Sequence, residues 1–448
     1  MKHKKLLLVF SILFVLLCSL TAISASDLND TDVIANDDAG EETVSSDADI
    51  ENEITTEPGS GNLNGNTFRD LNATIADAGN VDLTLNYEYN KSTDEGLFPQ
   101  GILIDRDNVV IDGNGHFING EMQTRVFHII NANNVTLKNI KFYNSGYDKL
   151  KVDGGALYIE ESSNITIFNC SFVYNRIVND GGNGGAIYVK STDPIRIIDS
   201  EFKENSAGYG GAITAHNATL ILENTVFDKN SAVKIGGALN TAHSTQIINN
   251  CTFKDGKIEF SGGSSDPCRG GAIYAEQFDE DNEMVITNTE FKNNYVYNEG
   301  GAVYINGQAK VLIEDSKFSK NDGDVGAIVC GIANVTIRNT EFNENHGSEG
   351  GAVYAGPSTL IEDCNFTGNN AGYGGVIFVY YSGSENGNAT VKNCNFLNNS
   401  AEVGGAILNQ KTVTVLNCNF TGNYAGFGGA INSQAGKALI YNSNFIAN

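Results

Sequence analysis

The stretch Val413-Thr-Val-Leu-Asn417-Cys-Asn-Phe420-Thr-Gly-Asn423-Tyr-Ala425-Gly-Phe-Gly428-Gly429-Ala430-Ile431 is one copy of a pattern that fills most of this chain. Twelve phenylalanines phase it, running from Phe142 through Phe172, Phe202, Phe227, Phe366 and Phe396 to Phe420 and Phe445. Asn or Asp stands three residues before every one of the twelve, as at Asn169, Asn224, Asn393 and Asn417. Asn stands three residues after ten of them, Phe142 and Phe253 being the exceptions. Between consecutive phenylalanines comes Gly-Gly-Ala or a close variant, such as Gly184-Gly185-Ala186 and Gly404-Gly405-Ala406.

Aliphatic residues alternate just ahead of the Asn or Asp, as in Ile165-Thr-Ile167, Leu220-Ile-Leu222 and Val335-Thr-Ile337. Alternation of period two marks a strand with one buried face. A second short strand follows each Gly-Gly, so a coil of roughly 24 to 30 residues carries two or three strands. Helical spacing and a leucine ladder are both absent from the repeats. Such a unit cannot bury its apolar face alone, but stacking buries it and pairs the backbone. The fold class predicted is therefore all-β, a right-handed parallel β-helix of about 12 or more coils. Like residues would stack ~4.8 Å apart, with Phe172, Phe202, Phe227, Phe366, Phe396 and Phe420 inside and Asn169, Asn224, Asn393 and Asn417 at the turns.

Working outward from the repeats, four segments are expected. Residues 1–25 read as a signal peptide, with Lys2, Lys4 and Lys5 ahead of an apolar run from Leu6 to Leu17 and small residues Ala22, Ser24 and Ala25 for cleavage. Residues 26–60 carry twelve acidic residues between Asp27 and Glu57 with no Lys or Arg, the composition of a disordered leader. Residues 61–135 form a cap and irregular first coils. There Phe68, Leu71, Ile75 and Ala78 recur at helical spacing after Thr67, and Val81–Leu85, Ile102–Ile104 and Val109–Ile111 read as strands. Residues 136–448 are the β-helix repeats, ending at Asn448 without a visible cap. The bare edge there invites end-to-end or edge association.

The formal charge of −26 repels nucleic acid and anionic membranes, and no basic stripe offsets it. No apolar stretch after the signal is long enough to span a membrane. These features place the chain outside the cell or on its surface.

Gly-Gly-Ala-Ile and Phe-x-x-Asn, repeated along one exported chain, resemble the polymorphic outer-membrane-protein repeat and the adhesin-like β-helix proteins of methanogenic archaea. The resemblance covers residues 61–448 and implies a surface-exposed shaft used for attachment to glycans or proteins of a host or neighbouring cell. Bacterial members continue into an outer-membrane barrel; this chain shows no such segment and contains no Trp, which favours the archaeal type.

Candidate chemistry is sparse, and no catalytic residue, metal site or cofactor is expected. Cys170, Cys251, Cys364, Cys394 and Cys418 share a slot two residues before Phe with Ser200, Thr225, Thr289 and Thr340. A slot open to Cys, Ser and Thr alike is one for small stacking side chains, although a disulfide such as Cys394–Cys418 suits an exported site. Cys268 and Cys330 lie off this ladder. The histidines show no metal spacing, though His216 and His243 fall near each other on neighbouring coils. The carboxylate groups Asp105/Asp107 and Asp279-Glu280-Asp281 are turn and loop residues in the plain reading. A carbohydrate-active lyase or hydrolase would need such groups clustered in a groove. That enzyme is the first alternative, and a self-assembling surface-layer component is the second. Sequons such as Asn134-Val-Thr, Asn334-Val-Thr and Asn365-Phe-Thr follow from the repeat itself. Insertions at Tyr147 to Asp153, Val178 to Asn183, 261–267, Gln277 to Glu283 and Tyr381 to Asn388 are expected as side loops. Finally, Tyr158, Tyr188, Tyr274, Tyr304 and Tyr354 each follow the Ala of Gly-Gly-Ala by two residues. Alternation turns them away from the core, so they are expected as an exposed aromatic binding stripe.

Overall fold

Residues 66–76, 79–147, 152–178, 181–259, 268–277, 282–380 and 388–448 are described by a computed structural model, all within the compact unit Asn62–Asn448. The signal peptide, the acidic leader, Ala78 and the inserted stretches 148–151, 179–180, 260–267, 278–281 and 381–387 lie outside the described residues.

The chain winds as a parallel β-solenoid whose strands stack into four parallel sheets. Sheet 1 has 14 strands, from Asn80–Asp82 to Lys437–Tyr441, and sheet 2 has 14, from Tyr87–Glu88 to Asn444–Ile446. Sheet 3 has 11, from Gly146–Tyr147 to Tyr424–Phe427, and sheet 4 has 13, from Ile102–Ile104 to Ile431–Ser433. A coil visits them in that order. Asn133–Lys138, Lys141–Tyr143, Gly146–Tyr147 and Leu157–Glu160 make up one turn. Most coils thus have one strand more than the two or three read from the repeat. Strands of sheet 3 are too short, and too rich in Ser, Ala and Gly, to show an alternating apolar pattern, as in Ser206–Tyr209.

The inward residues of sheets 1, 2 and 4 form one continuous core. Phenylalanines fill its middle: from Phe142 to Phe445 every consecutive pair of rings stacks, with centroids 4.5 to 5.0 Å apart. Burying a Phe against two ring neighbours removes apolar surface from water and adds aromatic contact, so truncation to Ala typically costs ~3–5 kcal/mol.

The bends explain the polar half of the repeat. Between sheets 1 and 2 the corner residue takes a left-handed conformation, at φ 50° for Asn169, 49° for Asn224, 54° for Asn393 and 53° for Asn417. Asn and Asp tolerate this region best among residues with a side chain. Their amides then link the coils, with Asn169 Nδ2 donating to Asn139 Oδ1 at 2.7 Å and Asn417 Nδ2 donating to Asn393 Oδ1 at 3.2 Å. The next residue is the Cys/Ser/Thr slot. Ser200 Oγ donates to Ile198 O at 2.8 Å, Thr225 Oγ1 donates to Glu223 O at 2.8 Å, and Cys394 Sγ lies 3.1 Å from Lys392 O in the same role. The slot therefore quiets a corner carbonyl. The cysteines in it are free and buried, as are Cys268 and Cys330, so no Cys394–Cys418 bond is formed here. Burial pushes the Cys170 thiol up to about 12.

From Asn175 to Asn423 the Asn three residues after Phe turns the chain from sheet 2 into sheet 3 and is buried. Asn345 Oδ1 accepts from Asn321 N and Asn321 Nδ2, both at 3.0 Å, while Asn345 Nδ2 donates to Phe318 O and Asn369 Oδ1, both at 3.0 Å. This ladder runs from Asn175 to Asn230 and again from Asn294 to Asn448, broken at Gly256, where an added Cβ would stand 2.8 Å from Asn294 Oδ1. In the Gly-Gly bend the first glycine needs φ near +66° at Gly184, and a Cβ on Gly185 would meet Gly211 O at 2.1 Å.

Helix α1, Phe68–Ile75, covers the first coil as expected. Thr67 and Asp70 form a capping box at its start, and Phe68, Leu71 and Ile75 are buried. The buried Asp94 carboxylate, not foreseen, accepts from the amides of Phe68 and Arg69 at 3.2 Å and from Asn90 at 2.8 Å, satisfying orphan donors of the helix start.

Removing one amide from the inner ladder tests its worth. Asn345→Ala leaves the Asn321 amide and the Phe318 carbonyl buried without their partners, and should lower unfolding stability by about 1–3 kcal/mol. A shift in the urea midpoint reads this, and an unchanged midpoint would show that the ladder is dispensable.

Candidate binding cleft

The predicted tyrosine stripe lies on the outward face of sheet 4. Strand pairing sets Tyr158 beside Tyr188, Tyr274 beside Tyr304, and Tyr354 beside Phe378. None of the five tyrosines joins the main core, so their outward direction holds. Their exposure does not: Tyr188 is 7 %, Tyr274 5 % and Tyr304 8 % exposed, and Tyr158 and Tyr354 are half-buried. The cause lies, among the described residues, in those that precede the Gly-Gly bend at the end of sheet 3 and pack on this face. Ile235 and Val325 pack on the Tyr274–Tyr304 pair, and the Arg269 guanidinium lies 4.7 Å from the Tyr304 ring while its Nε donates to Glu299 Oε2 at 2.7 Å. Thr214 and Asn240 interrupt the stripe between Tyr188 and Tyr274, and Val329 interrupts it between Tyr304 and Tyr354, so the aromatic column falls into three groups.

The group nearest the N-terminus gathers the chemistry. His128 stands at the stripe position one coil before Tyr158, in the sequence Val126-Phe127-His128 that aligns with Ala156-Leu157-Tyr158. Its ring meets Tyr158 edge-on at 5.0 Å, Tyr158 and Tyr188 lie 5.1 Å apart, and Tyr188 meets His216 at 5.6 Å. Glu160 anchors the outer edge: Tyr158 Oη donates to Glu160 Oε2 at 3.1 Å, Lys190 Nζ lies 3.7 Å from the same oxygen, and His128 Nε2 is 4.0 Å from Glu160 Oε1. Beneath them Arg125, 3 % exposed, sets its guanidinium 4.8 Å from the Tyr158 ring and 5.7 Å from the Tyr147 ring. Cation–π attraction is strongest when desolvated, which suits a buried guanidinium between two rings.

Burial governs the protonation states. It holds His128 below its ordinary value of 6.5, with Arg125 adding to the fall and Glu160 opposing it. It likewise lowers His216, and it pushes Tyr188 up to about 12 and Tyr158 well above the ordinary tyrosine value. Near pH 7 the cleft therefore offers neutral imidazoles and protonated phenols beside the Glu160–Lys190 contact. Such a surface can stack on a ring and exchange hydrogen bonds with hydroxyls.

The other candidates stay apart from this cluster. Asp107 Oδ1 accepts from Asn133 N at 2.7 Å, a turn contact, and Asp279-Glu280-Asp281 lie outside the described residues. His216 does sit close enough to His243 for the second ring to lower its proton affinity. Among the described residues no three His, Cys, Asp or Glu side chains are placed to hold a metal ion. Sequence reasoning missed Arg125, His128, Glu160 and Lys190. Only the register of His128 with Tyr158 offered a signal, and it becomes visible once the first coils are aligned.

A family model described as right-handed β-helix region matches residues 125–295 and 271–445. No curated protein matches the chain. Among solved structures, a double mutant of the periplasmic alginate epimerase AlgG is similar at 9% identity, covering 85% of this chain and 83% of its own, with a TM-score of 0.45. A PL6 alginate lyase complexed with a trisaccharide is similar at 14% identity, with coverages of 84% and 85% and a TM-score of 0.43. PfbA, a surface adhesin of Streptococcus pneumoniae, is similar at 13% identity, with coverages of 84% and 87% and a TM-score of 0.33. Likenesses this distant carry no argument about what this chain binds or does.

The buried histidine has a measurable consequence. The unfolded chain takes up a proton near 6.5 whereas folded His128 resists it, so its contribution is intact above that pH and is lost as pH falls below it. His128→Gln should flatten the decline in melting temperature between about pH 7 and 5 relative to the parent. Superimposable pH profiles would show that the imidazole is as free to protonate as in the unfolded chain.

Proposed function

This chain belongs to the right-handed β-helix family, and we propose that it serves as an exported, adhesin-type shaft of the cell surface, binding a glycan or protein of another cell. The observation that carries this reading is how the cleft's polar groups are committed to one another. Glu160 is engaged at once by Tyr158, Lys190 and His128, and Arg125 is sandwiched by two rings. Groups held this way form a rigid recognition surface, and rigidity lowers the ordering cost of binding. The unbroken Phe stack behind them makes the shaft a stiff support. Export is supported by the charged and apolar start of the sequence, and among the described residues no helix is long and apolar enough to cross a membrane. The Gly-Gly-Ala-Ile and Phe-x-x-Asn repeats support a place beside polymorphic outer-membrane-protein repeats and archaeal adhesin-like proteins.

A carbohydrate-active enzyme is the second reading, favoured by one observation: a neutral imidazole, a phenol and a carboxylate lie together in a cleft lined by Arg125 and Lys190. Proton transfer to or from a sugar needs such partners within hydrogen-bond reach.

Both readings meet in one pair of assays. Purified protein is tested for retention on cells and immobilised glycans, and for release of reducing ends or unsaturated products from neutral and uronate polysaccharides. The adhesin reading expects retention without turnover, and about a tenfold weaker retention for Tyr158→Ala combined with Lys190→Ala. Turnover that disappears in Glu160→Gln would replace it with the enzyme.

A further inference from the structure

A second surface, on the opposite side of the coil from the Gly-Gly bends, has a chemistry of its own. At the corner between sheets 1 and 2 a shallow groove of about 690 Å³ runs from coil to coil, with Asn139, Asn169, Asp199 and Asn224 along one side and Lys141 and Ser171 along the other. Each corner amide in it is half used. Asn139 Nδ2 donates to Asp112 Oδ1 at 2.8 Å, Asn169 Nδ2 donates to Asn139 Oδ1 at 2.7 Å, and Asn224 Nδ2 donates to Asp199 Oδ1 at 2.7 Å. A carboxamide has two N–H donors and an oxygen with two lone pairs. The ladder takes one donor from each asparagine and an acceptor from Asn139 and Asn224 but not from Asn169, whose counterpart on the next coil is Asp199, so each keeps a donor and at least one acceptor for a ligand, and Asn169 and Asn224 are exposed. Asp199, also exposed, adds acceptors alone.

Because parallel coils stack at ~4.8 Å, a corner acceptor recurs at that interval along the groove, with an amide donor beside it at Asn139, Asn169 and Asn224. A ligand that uses the array must be linear, must present a hydroxyl donor and acceptor at nearly the same interval, and must tolerate both signs of charge. Lys141 lies in the same groove as Asp199 and Glu201, which disfavours a uniformly charged chain of either sign. An extended β-linked hexose chain advances by about one coil spacing per ring and displays hydroxyls on each. We propose that this groove binds a linear neutral polysaccharide lying along the shaft. The proposal is independent of the cleft between sheets 3 and 4, because the two surfaces share no residue.

The test is calorimetric titration of the full chain with cellohexaose and mannohexaose, with hexagalacturonate as the charged counterpart. Asn169 and Asn224 hold left-handed corners, so Asn169→Gly with Asn224→Gly removes two amides while keeping a residue at ease there. Ser171→Trp fills the groove from its other wall. The expected result is binding of at least one neutral hexasaccharide, weakened about tenfold or more by each of these changes and unaltered by Tyr158→Ala in the cleft. No binding of either neutral probe, tighter binding of hexagalacturonate, or affinities unmoved by both groove variants would each overturn the proposal. Circular dichroism and melting temperature confirm that each variant remains folded. Should the double glycine variant fail to fold, Ser171→Trp decides the matter alone.

Discussion

Everything in this molecule depends on one constraint: backbone hydrogen bonds between successive coils hold the paired strand residues directly above their counterparts. Gly184 N to Tyr209 O at 2.9 Å, Ala186 N to Ala212 O at 2.9 Å and Asn169 N to Ile198 O at 3.0 Å are three instances from a single turn. Once that spacing is fixed, a side chain's main neighbours are its own equivalents, and only residues that tolerate themselves at such a distance can persist in a column. Phe does so by stacking, Asn by donating its amide to the next amide oxygen, and Gly by leaving room for the next coil's carbonyl. Like charges repel at this spacing, and in one column they alternate instead: Glu314, Arg338, Glu362 and Lys392 follow one another on the outer face of sheet 1, with Arg338 paired to Glu314 and Lys392 to Glu362.

That self-stacking is why the fold was so legible. Phase at Phe and Asn is itself the contact map of a solenoid, so reading the repeat was nearly equivalent to reading the strand pairing. The short cap was legible for a different reason: Thr67 as an N-cap and the helical spacing of Phe68, Leu71 and Ile75 are local signals that need no help from the rest of the chain. Asp94 was invisible by the same standard, because its partners at Phe68 and Arg69 are brought to it by the chain's return.

The tyrosines show where a repeat stops being informative. Alternation gives the side of the strand on which Tyr188 or Tyr274 emerges, and that direction is right. It does not say what covers that side. Sheet 3 does so through the residue preceding each Gly-Gly, a column that runs through Asp153, Asn183, Tyr209, Ile235, Arg269, Glu299, Val325 and Glu349 and follows no composition rule. Variation in that column is what makes the cleft different in each coil. Ile235 and Val325 pack apolar groups on Tyr274 and Tyr304 beside the Arg269–Glu299 pair, whereas Asp153 and the buried Arg125 surround Tyr158 and Tyr188.

The division of labour follows from these two kinds of column. Positions that stack on themselves are fixed by the rod and have no freedom to recognise anything, since changing Phe291 or Asn321 disturbs two neighbouring coils as well as its own. Positions before the Gly-Gly bend, and those facing them on sheet 4, are not filled by one residue type repeated from coil to coil, so neighbours there can pair unlike groups. Specificity can accumulate there without cost to the ladders. His128, Glu160 and Lys190 belong to this set, in which each coil contributes a different group to one continuous face. A solenoid thus separates stability from recognition by position within the coil rather than by domain.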